Sequence, residues 1–421
     1  MDKRRLLVIF IVVFIDLLGF GLILPLLPFY AETFDASNTL IGLLVASYAG
    51  AQLIGAPVLG RLSDRYGRRP VLLVSILGTA LGFVMLGMAG SLWMLFLARI
   101  VDGLTGGNIS VARAYITDIT DEDNRARGLG LIGAAFGLGF VIGPAMGGLL
   151  SSGEQYALPA FAAAGLAGFN LVLAYIWLPE SLDAQRRREL AAHQGTDSWL
   201  TTFQRVLRRP QIGPLLRMAF VFNLAYVTFT GIFSLHAKEH LELASDETGY
   251  LLAYVGLLAA FVQGGVVGRL ASRYQDRQLI SVSAALMTVS LAGWAFAPGI
   301  FVSLVVLVPL AFSIGVLSTM LQSVLTKAVP VDDVGSIMGL FTAIGSITRV
   351  IGPAAGGVLF DLVGSWAPGL FGAGLMAWFV YCAWRVLFGV HNTALSEAEH
   401  DLAVVGTSRI RPDLPLNRRV E

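Results

Sequence analysis

Twelve apolar stretches follow one another along this chain, and each is long enough to cross a bilayer. They fall at about 6–29, 39–60, 71–90, 92–117, 128–151, 158–178, 212–235, 247–268, 279–297, 300–326, 335–360 and 367–388. A helix rises 1.5 Å per residue, so roughly 20 such residues span the hydrocarbon layer. Only 14% of the 421 residues are charged, against 56% hydrophobic, where a soluble domain carries about 25% charged residues. Such a chain cannot cover a water-facing surface, and lipid is its natural solvent. The 48 glycines agree, because membrane helices use small residues to approach one another closely. The first residues, MDKRRLLVIF, imitate a signal peptide. They lack a small-residue cleavage site and lead into too long a run, so they read as a retained first helix.

Composition also removes several functions. A net charge of +1 gives no reason to expect a nucleic-acid partner. The single Cys382 excludes an intrachain disulfide and a multi-cysteine metal site. No helix joins a nucleophile to a nearby histidine; His236 and His240 are expected in a loop beside Lys238. Neither an enzyme, nor a metal, nor a cofactor is expected.

The chain repeats itself. Residues 130–150, GLIGAAFGLGFVIGPAMGGLL, match residues 339–359, GLFTAIGSITRVIGPAAGGVL, at eleven of 21 positions with an offset of 209. A second pair, GRLSDRY from Gly60 and GRLASRY from Gly268, lies at nearly the same offset. Two matches at one spacing predict a duplicated six-helix unit with a pathway between the copies. The expected fold is an all-α membrane protein with twelve transmembrane helices in two pseudo-symmetric six-helix bundles. The first bundle is expected at 1–179, a cytoplasmic linker at 180–211, the second bundle at 212–390 and a cytoplasmic tail at 391–421. Within the linker, the RRREL and TTFQRVLRR segments suit amphipathic surface helices.

Orientation follows from the cations. With the N-terminus in the cytoplasm, Lys238 is the one lysine or arginine of 29 that falls in an outside loop. The positive-inside rule then puts both termini in the cytoplasm of an inner (plasma) membrane protein.

Ionisable residues inside a span are costly, about 2.5–3.5 kcal/mol each on insertion scales, and so are functional candidates. Five stand out: Asp16, Arg99, Asp102, Arg113 and Arg349. Asp16 lies ten residues into the first helix, about 15 Å deep, near the midplane. It is either a proton site or a helix-fixing acceptor. Arg99 and Asp102, three apart in the fourth helix, can pair on one face; Asp102 is either the static partner of Arg99 or itself the titrating group. Arg113 lies toward the inner end, where it can snorkel. Arg349 replaces Phe140 of the repeat, so the duplicated scaffold does not demand it. It either balances Asp16 or receives an anionic substrate. Tyr30, Tyr48, Phe136, Tyr226, Phe229, Tyr254 and Phe341 are candidate aromatic cavity walls, with Asn223 and Gln263 among the few amides within helices.

Two motifs complete the inventory. In GRLSDRYGRRP at 60–70, Gly60 and Gly67 permit a tight reversal. Asp64 can accept from an arginine or a helix N-terminus, and Arg68 is placed to reach Asp118. With Arg65 these residues form a candidate cytoplasmic gate that latches the two halves in the outward-facing state and breaks when the inside opens, or else a plain topogenic loop. The second copy has Ser272 in place of Asp64, so the latch is expected to be asymmetric. In the fifth helix Gly139, Gly143 and Gly147 recur every four residues beside Pro144 and Gly148, which places small residues on one face for close packing.

The 60–70 loop resembles the signature loop of the major facilitator superfamily, and Arg99 with Gly103 its fourth-helix motif. GFVIGPAMGG at 139–148 resembles the fifth-helix motif of its drug:proton antiporters, and FIDLLGFGLILPLLP at 14–28 is similar to the first helix of tetracycline-type efflux pumps. The resemblance covers essentially the whole chain. It implies proton-coupled export of small molecules by alternating access, with Asp16, Arg99 and Asp102 in coupling and substrate, protons and the bilayer as the partners of a monomer. Those pumps also carry acidic residues in the third and ninth helices, whereas 71–90 and 279–297 here hold no charge. Apolar or amphipathic drugs or lipids therefore fit better than a tetracycline–metal complex. The alternatives are an importer of a polar metabolite such as a sugar, which the scarcity of amides disfavours, and a membrane sensor.

Overall fold

A computed structural model describes residues 3–151, 155–183, 187, 212–329 and 334–385. The expected linker helices and the tail lie outside the described residues. The fold is all-helical, as expected. We number the spans α1 (Lys3–Glu32), α2 (Asn38–Tyr66), α3 (Arg68–Gly87), α4 (in two pieces, Leu92–Thr105 and Asn108–Ile119), α5 (Glu122–Leu150), α6 (Ala157–Trp177), α7 (Gly213–Leu241), α8 (Ser245–Arg273), α9 (Asp276–Ala295), α10 (Ile300–Lys327), α11 (Val334–Val363) and α12 (Ala367–Ala383). Ten of these are long and apolar enough to cross a membrane unaided. The broken α4 and the shorter α12 complete the twelve.

Local chemistry sets the ends. Ser37 caps α2 by accepting from the Leu40 amide. Asp121 caps α5, accepting from the Asn124 backbone and side chain, and these bonds hold its carboxyl below the usual carboxylate range. Only Gly67, at φ +108°, makes the turn between α2 and α3. Gly60, expected to share that reversal, lies inside α2, because the helix runs on to Tyr66. Large apolar side chains such as Val74, Val289 and Leu362 are exposed, as a lipid-facing surface requires, with Trp93, Trp177 and Trp384 also outward in the manner of interfacial aromatics.

Small residues decide how the spans meet. A Cβ added at Gly143 would stand 2.8 Å from Gly21, and one at Gly147 2.3 Å from the Leu22 carbonyl, so this face of α5 lies on α1. The neighbouring face joins the halves. A Cβ at Gly148 would stand 2.8 Å from the Asp246 carbonyl of α8, and one at Gly249 2.5 Å from the Pro144 carbonyl. The repeat does the same in α11: Gly352 and Gly356 lie on α7, while Pro353 and Gly357 lie on Gly42 and Asn38 of α2. The duplicated glycine motif thus carries one face for its own bundle and one for the other.

Polar cross-links between the halves accompany these crossings at the end opposite the N-terminus, the far end. The Asp361 carboxylate of α11 accepts from the Asn38 and Thr39 amides at 3.2 and 2.7 Å, capping α2 across the interface. The Ser151 and Ser245 hydroxyls are 2.9 Å apart, and Lys238 pairs with Glu32. Lys238, His236 and His240 stand in the last turns of α7, not in a loop. His236 is buried against Trp294, with Nδ1 3.0 Å from the Ser365 carbonyl; α7 runs on to Leu241, past the expected boundary at 235, with His236 and Ala237 packed inside.

Gly357→Ala is expected to wedge this end open, because the new methyl would meet the Asn38 carbonyl at 2.4 Å, and neither backbone can yield locally. Gly147→Ala places the same wedge within one half and should lower thermal stability, by about 1–3 kcal/mol, without changing the distance between halves. Spin-label distances across the far end, combined with thermal unfolding, separate the two outcomes.

Candidate functional site

The midplane cluster is built by α1, α2, α3 and α4. Gly106 and Gly107 interrupt α4, where the apolar stretch at 92–117 predicts one continuous helix. The Gly106 carbonyl freed there accepts from Gln52 Nε2 at 2.7 Å, and the same nitrogen lies 3.1 Å from the Tyr48 hydroxyl. Asn108 opens the second piece, its Oδ1 accepting from the Ile109 amide at 2.8 Å and its side chain near the Asp16 carboxyl. Asp16 is half-buried and within electrostatic reach of Asp102.

Arg99 and Asp102 form the expected pair, at 2.7 Å, with side chains 3% and 4% exposed. Thr79 lies near Asp102. The guanidinium stacks over Tyr48 at 4.3 Å and reaches Phe20 at 5.7 Å, so cation–π attraction adds to the ion pair. Phe20 continues to Phe140, and Phe140 to Phe136, at ring separations of 6.1 and 6.2 Å. The result is an aromatic wall beside two carboxylates. One is neutralised by an arginine in the protein interior, and the other has a neutral amide nearby.

The second half faces this wall with Arg349 and Tyr226. Arg349 is exposed and within electrostatic reach of Tyr48, Tyr226 and Arg113. Gln263 is also exposed, on a widened turn of α8 over Val262–Val266; such π-bulges occur often at functional sites. The other expected wall residues are spent elsewhere. Tyr30 lies at the far end, its hydroxyl donating to the carbonyls of Leu86 and Ala89 at 3.2 and 3.1 Å. Asn223 donates back to Ala219 within α7, Tyr254 to the Leu304 carbonyl, and Phe229 is buried against Trp294. Phe341 packs partly into the second-half core. An aromatic position in a sequence says nothing of which way the helix turns it.

At the terminal end, Arg68 donates to Asp64 at 2.6 Å, Asp118 at 3.0 Å and the Ser63 hydroxyl at 2.6 Å. Gly67 supplies the turn, whereas Gly60 meets open space, and Arg65 lies over its own neighbour Tyr66. All of these contacts stay within the first half, on the side where the two halves stand apart. The reason is local: Arg68 sits in the first turn of α3 and reaches one turn back and across to the end of α4. The residue missed from sequence is Glu180. Its carboxylate accepts from the Arg68 and Arg69 amides at 2.9 and 3.2 Å, the α3 N-terminal role that the sequence reading offered to Asp64. An acid just past the end of α6, amid a basic inner face, was the available signal.

Comparison with known proteins agrees with this architecture. The family model described as Major Facilitator Superfamily matches residues 9–353. The chain is 35% identical to a class C tetracycline resistance protein of Escherichia coli over 356 residues, covering 84% of this chain and 88% of that protein. It is 32% identical to a class H tetracycline resistance protein of Pasteurella multocida over 83% of this chain and 88% of that one. Among solved structures, a bacterial homologue of the human lysosomal transporter Spinster, in an inward-facing and occupied conformation, superposes with a TM-score of 0.75 at 16% identity, covering 92% of this chain and 96% of that one. A duplicated glycine motif, a charged α2–α3 turn and relatives matched over most of their length thus converge, and the chain belongs to the major facilitator superfamily, a family of membrane transporters rather than enzymes.

Proposed function

We propose that this protein exports hydrophobic or amphipathic small molecules in exchange for protons, by alternating access, with Asp16 as the proton carrier. The observation that carries the proposal is the unequal environment of two neighbouring carboxylates. Asp102 is sealed against Arg99, whereas Asp16 is half-buried, with the neutral Asn108 amide near it and no cation paired to it among the described residues. A proton arriving between the halves meets Asp16. The aromatic wall suits an apolar body, and the class C and class H tetracycline resistance relatives support a drug-like cargo. The third and ninth spans lack acidic residues at 71–90 and 279–297, which argues against a metal-bound tetracycline.

Alternation would use the contacts already described. The far end is closed by glycine crossings and by Asp361, Ser151–Ser245 and Lys238–Glu32. Arg113 and Gln263, nearer the other end, and Arg349, at the middle of α11, are exposed. In our reading that exposed side is cytoplasmic, both termini lie there, and the protein works as a monomer in the inner membrane. The Arg68–Asp64–Asp118–Glu180 cluster stiffens the first half on this side and is the surface against which the second half would close.

The test is a reconstituted one. Proteoliposomes with an imposed pH gradient should move a lipophilic dye against its concentration gradient, and a protonophore should stop it. Transport that ignores the pH gradient would remove proton exchange from the reading. A cysteine at Gly90, introduced with Cys382→Ala, should be labelled by impermeant reagents from outside intact cells. Labelling only after the inner face is exposed would reverse the orientation.

A further inference from the structure

The geometry points to an anion-binding subsite between Arg113 and Arg349, which would make the preferred cargo an apolar molecule with one negatively charged group. This rests on the cavity proposed above and names the class of molecule it takes. Arg113 belongs to the second piece of α4, in the first half, and Arg349 to α11, in the second. Both side chains are exposed, and the two cations repel one another across the gap between the halves. Neither guanidinium has a hydrogen-bond or ion-pair partner among the described residues. The contrast with Arg99, sealed on Asp102 three residues away, is sharp. A cation within a span normally finds a protein partner, and one that does not is poised for a ligand.

The surroundings specify the rest of the ligand. Tyr226 and Tyr48 lie within electrostatic reach of Arg349. Tyr48 continues into Phe20, Phe140 and Phe136. A planar or flexible apolar body can lie on this wall while its carboxylate, sulfonate or phosphate bridges the arginines, each a strong donor to such oxygens. Charge accounting favours one negative group. With Asp16 ionised and Arg99 paired to Asp102, the remaining two arginines exceed the remaining carboxylate by one positive charge, which a monoanion cancels. A neutral cavity is the least costly to close away from water, so the loaded carrier crosses without a proton on Asp16. The bound anion also replaces repulsion between the halves with attraction to a shared ligand, and it thereby favours closure on the exposed side.

Binding to purified protein in nanodiscs tests this, with empty nanodiscs as the blank. The probes are 1-anilinonaphthalene-8-sulfonate and its uncharged analogue N-phenyl-1-naphthylamine. The sulfonate should bind at least about tenfold more tightly. Arg349→Gln and Arg113→Gln should each remove most of that preference; Arg349→Lys should retain part of it. Thermal unfolding and size-exclusion elution like those of wild type certify that the variants are folded. Equal affinity for both dyes, or a sulfonate preference untouched by either Gln variant, overturns the subsite. Gradient-driven movement of the uncharged dye is scored separately. If it persists while the sulfonate preference is absent, only the subsite fails; if it is absent in wild type, the exporter reading fails.

Discussion

Asp16→Asn is expected to abolish export driven by a pH gradient while leaving the protein folded. Asparagine fills the same volume and keeps a hydrogen-bonding partner for Asn108, but it cannot carry a proton at any pH of interest. Asp16 is half-buried, with Asn108 against it and Asp102 within electrostatic reach. Its neutral mimic therefore resembles the proton-loaded carrier and should hold the cycle there. Initial rates of gradient-driven dye movement in proteoliposomes should fall roughly a hundredfold, to the leak, with binding of an uncharged dye within about threefold of wild type. A variant that exports at the wild-type rate would show that Asp16 fixes a helix and nothing more. Loss of drive in Asp102→Asn alone would move the proton to the fourth helix.

Asp102→Leu should cost far more in stability than in any single transport step. It strips the one carboxylate from Arg99, whose side chain is 3% exposed and whose Nε already lacks a partner. A buried charge left uncompensated costs about 3–5 kcal/mol. Removing both charges, in Arg99→Leu with Asp102→Leu, should recover much of that loss, because no charge then remains to be desolvated. Thermal unfolding in detergent, read as a double-mutant cycle, measures the coupling. If the single and double variants unfold together, Arg99 must find another acceptor, and the cation–π contact with Tyr48 at 4.3 Å would carry more than we assign to it. The comparison also separates the two carboxylates experimentally: one is expected to lose drive without losing fold, the other the reverse.

Spans, repeat and glycine motif were legible because they are properties of a single helix. Length and hydropathy define a span, spacing by four defines a face, and duplication shows as identity at a fixed offset. Arg99–Asp102 and Arg68–Asp118 were likewise within reach, the first through helical periodicity and the second through the short list of inner-face acids. What sequence could not supply was rotation and partnership between distant elements. Tyr30, Tyr254 and Phe229 are as aromatic as Phe136, yet only helix rotation decides which of them faces the cavity and which is spent on packing or on a stray carbonyl.

The same holds for the polar contacts that join the bundles. Glu180 lies 112 positions from the Arg68 amide it accepts, and Asp361 lies 322 positions from Thr39. Such a carboxylate is simply a loop-end acid until another helix presents its unsatisfied N–H groups. Sequence by itself determined that this chain must live in lipid, in two related bundles, with a carboxylate at mid-depth, because each follows from the cost of burying charge in an apolar solvent. Tertiary structure alone decided which carboxylate is sealed and which stays open, and which cations stand unpaired between the halves, because pairing depends on distances between helices that the sequence does not encode locally.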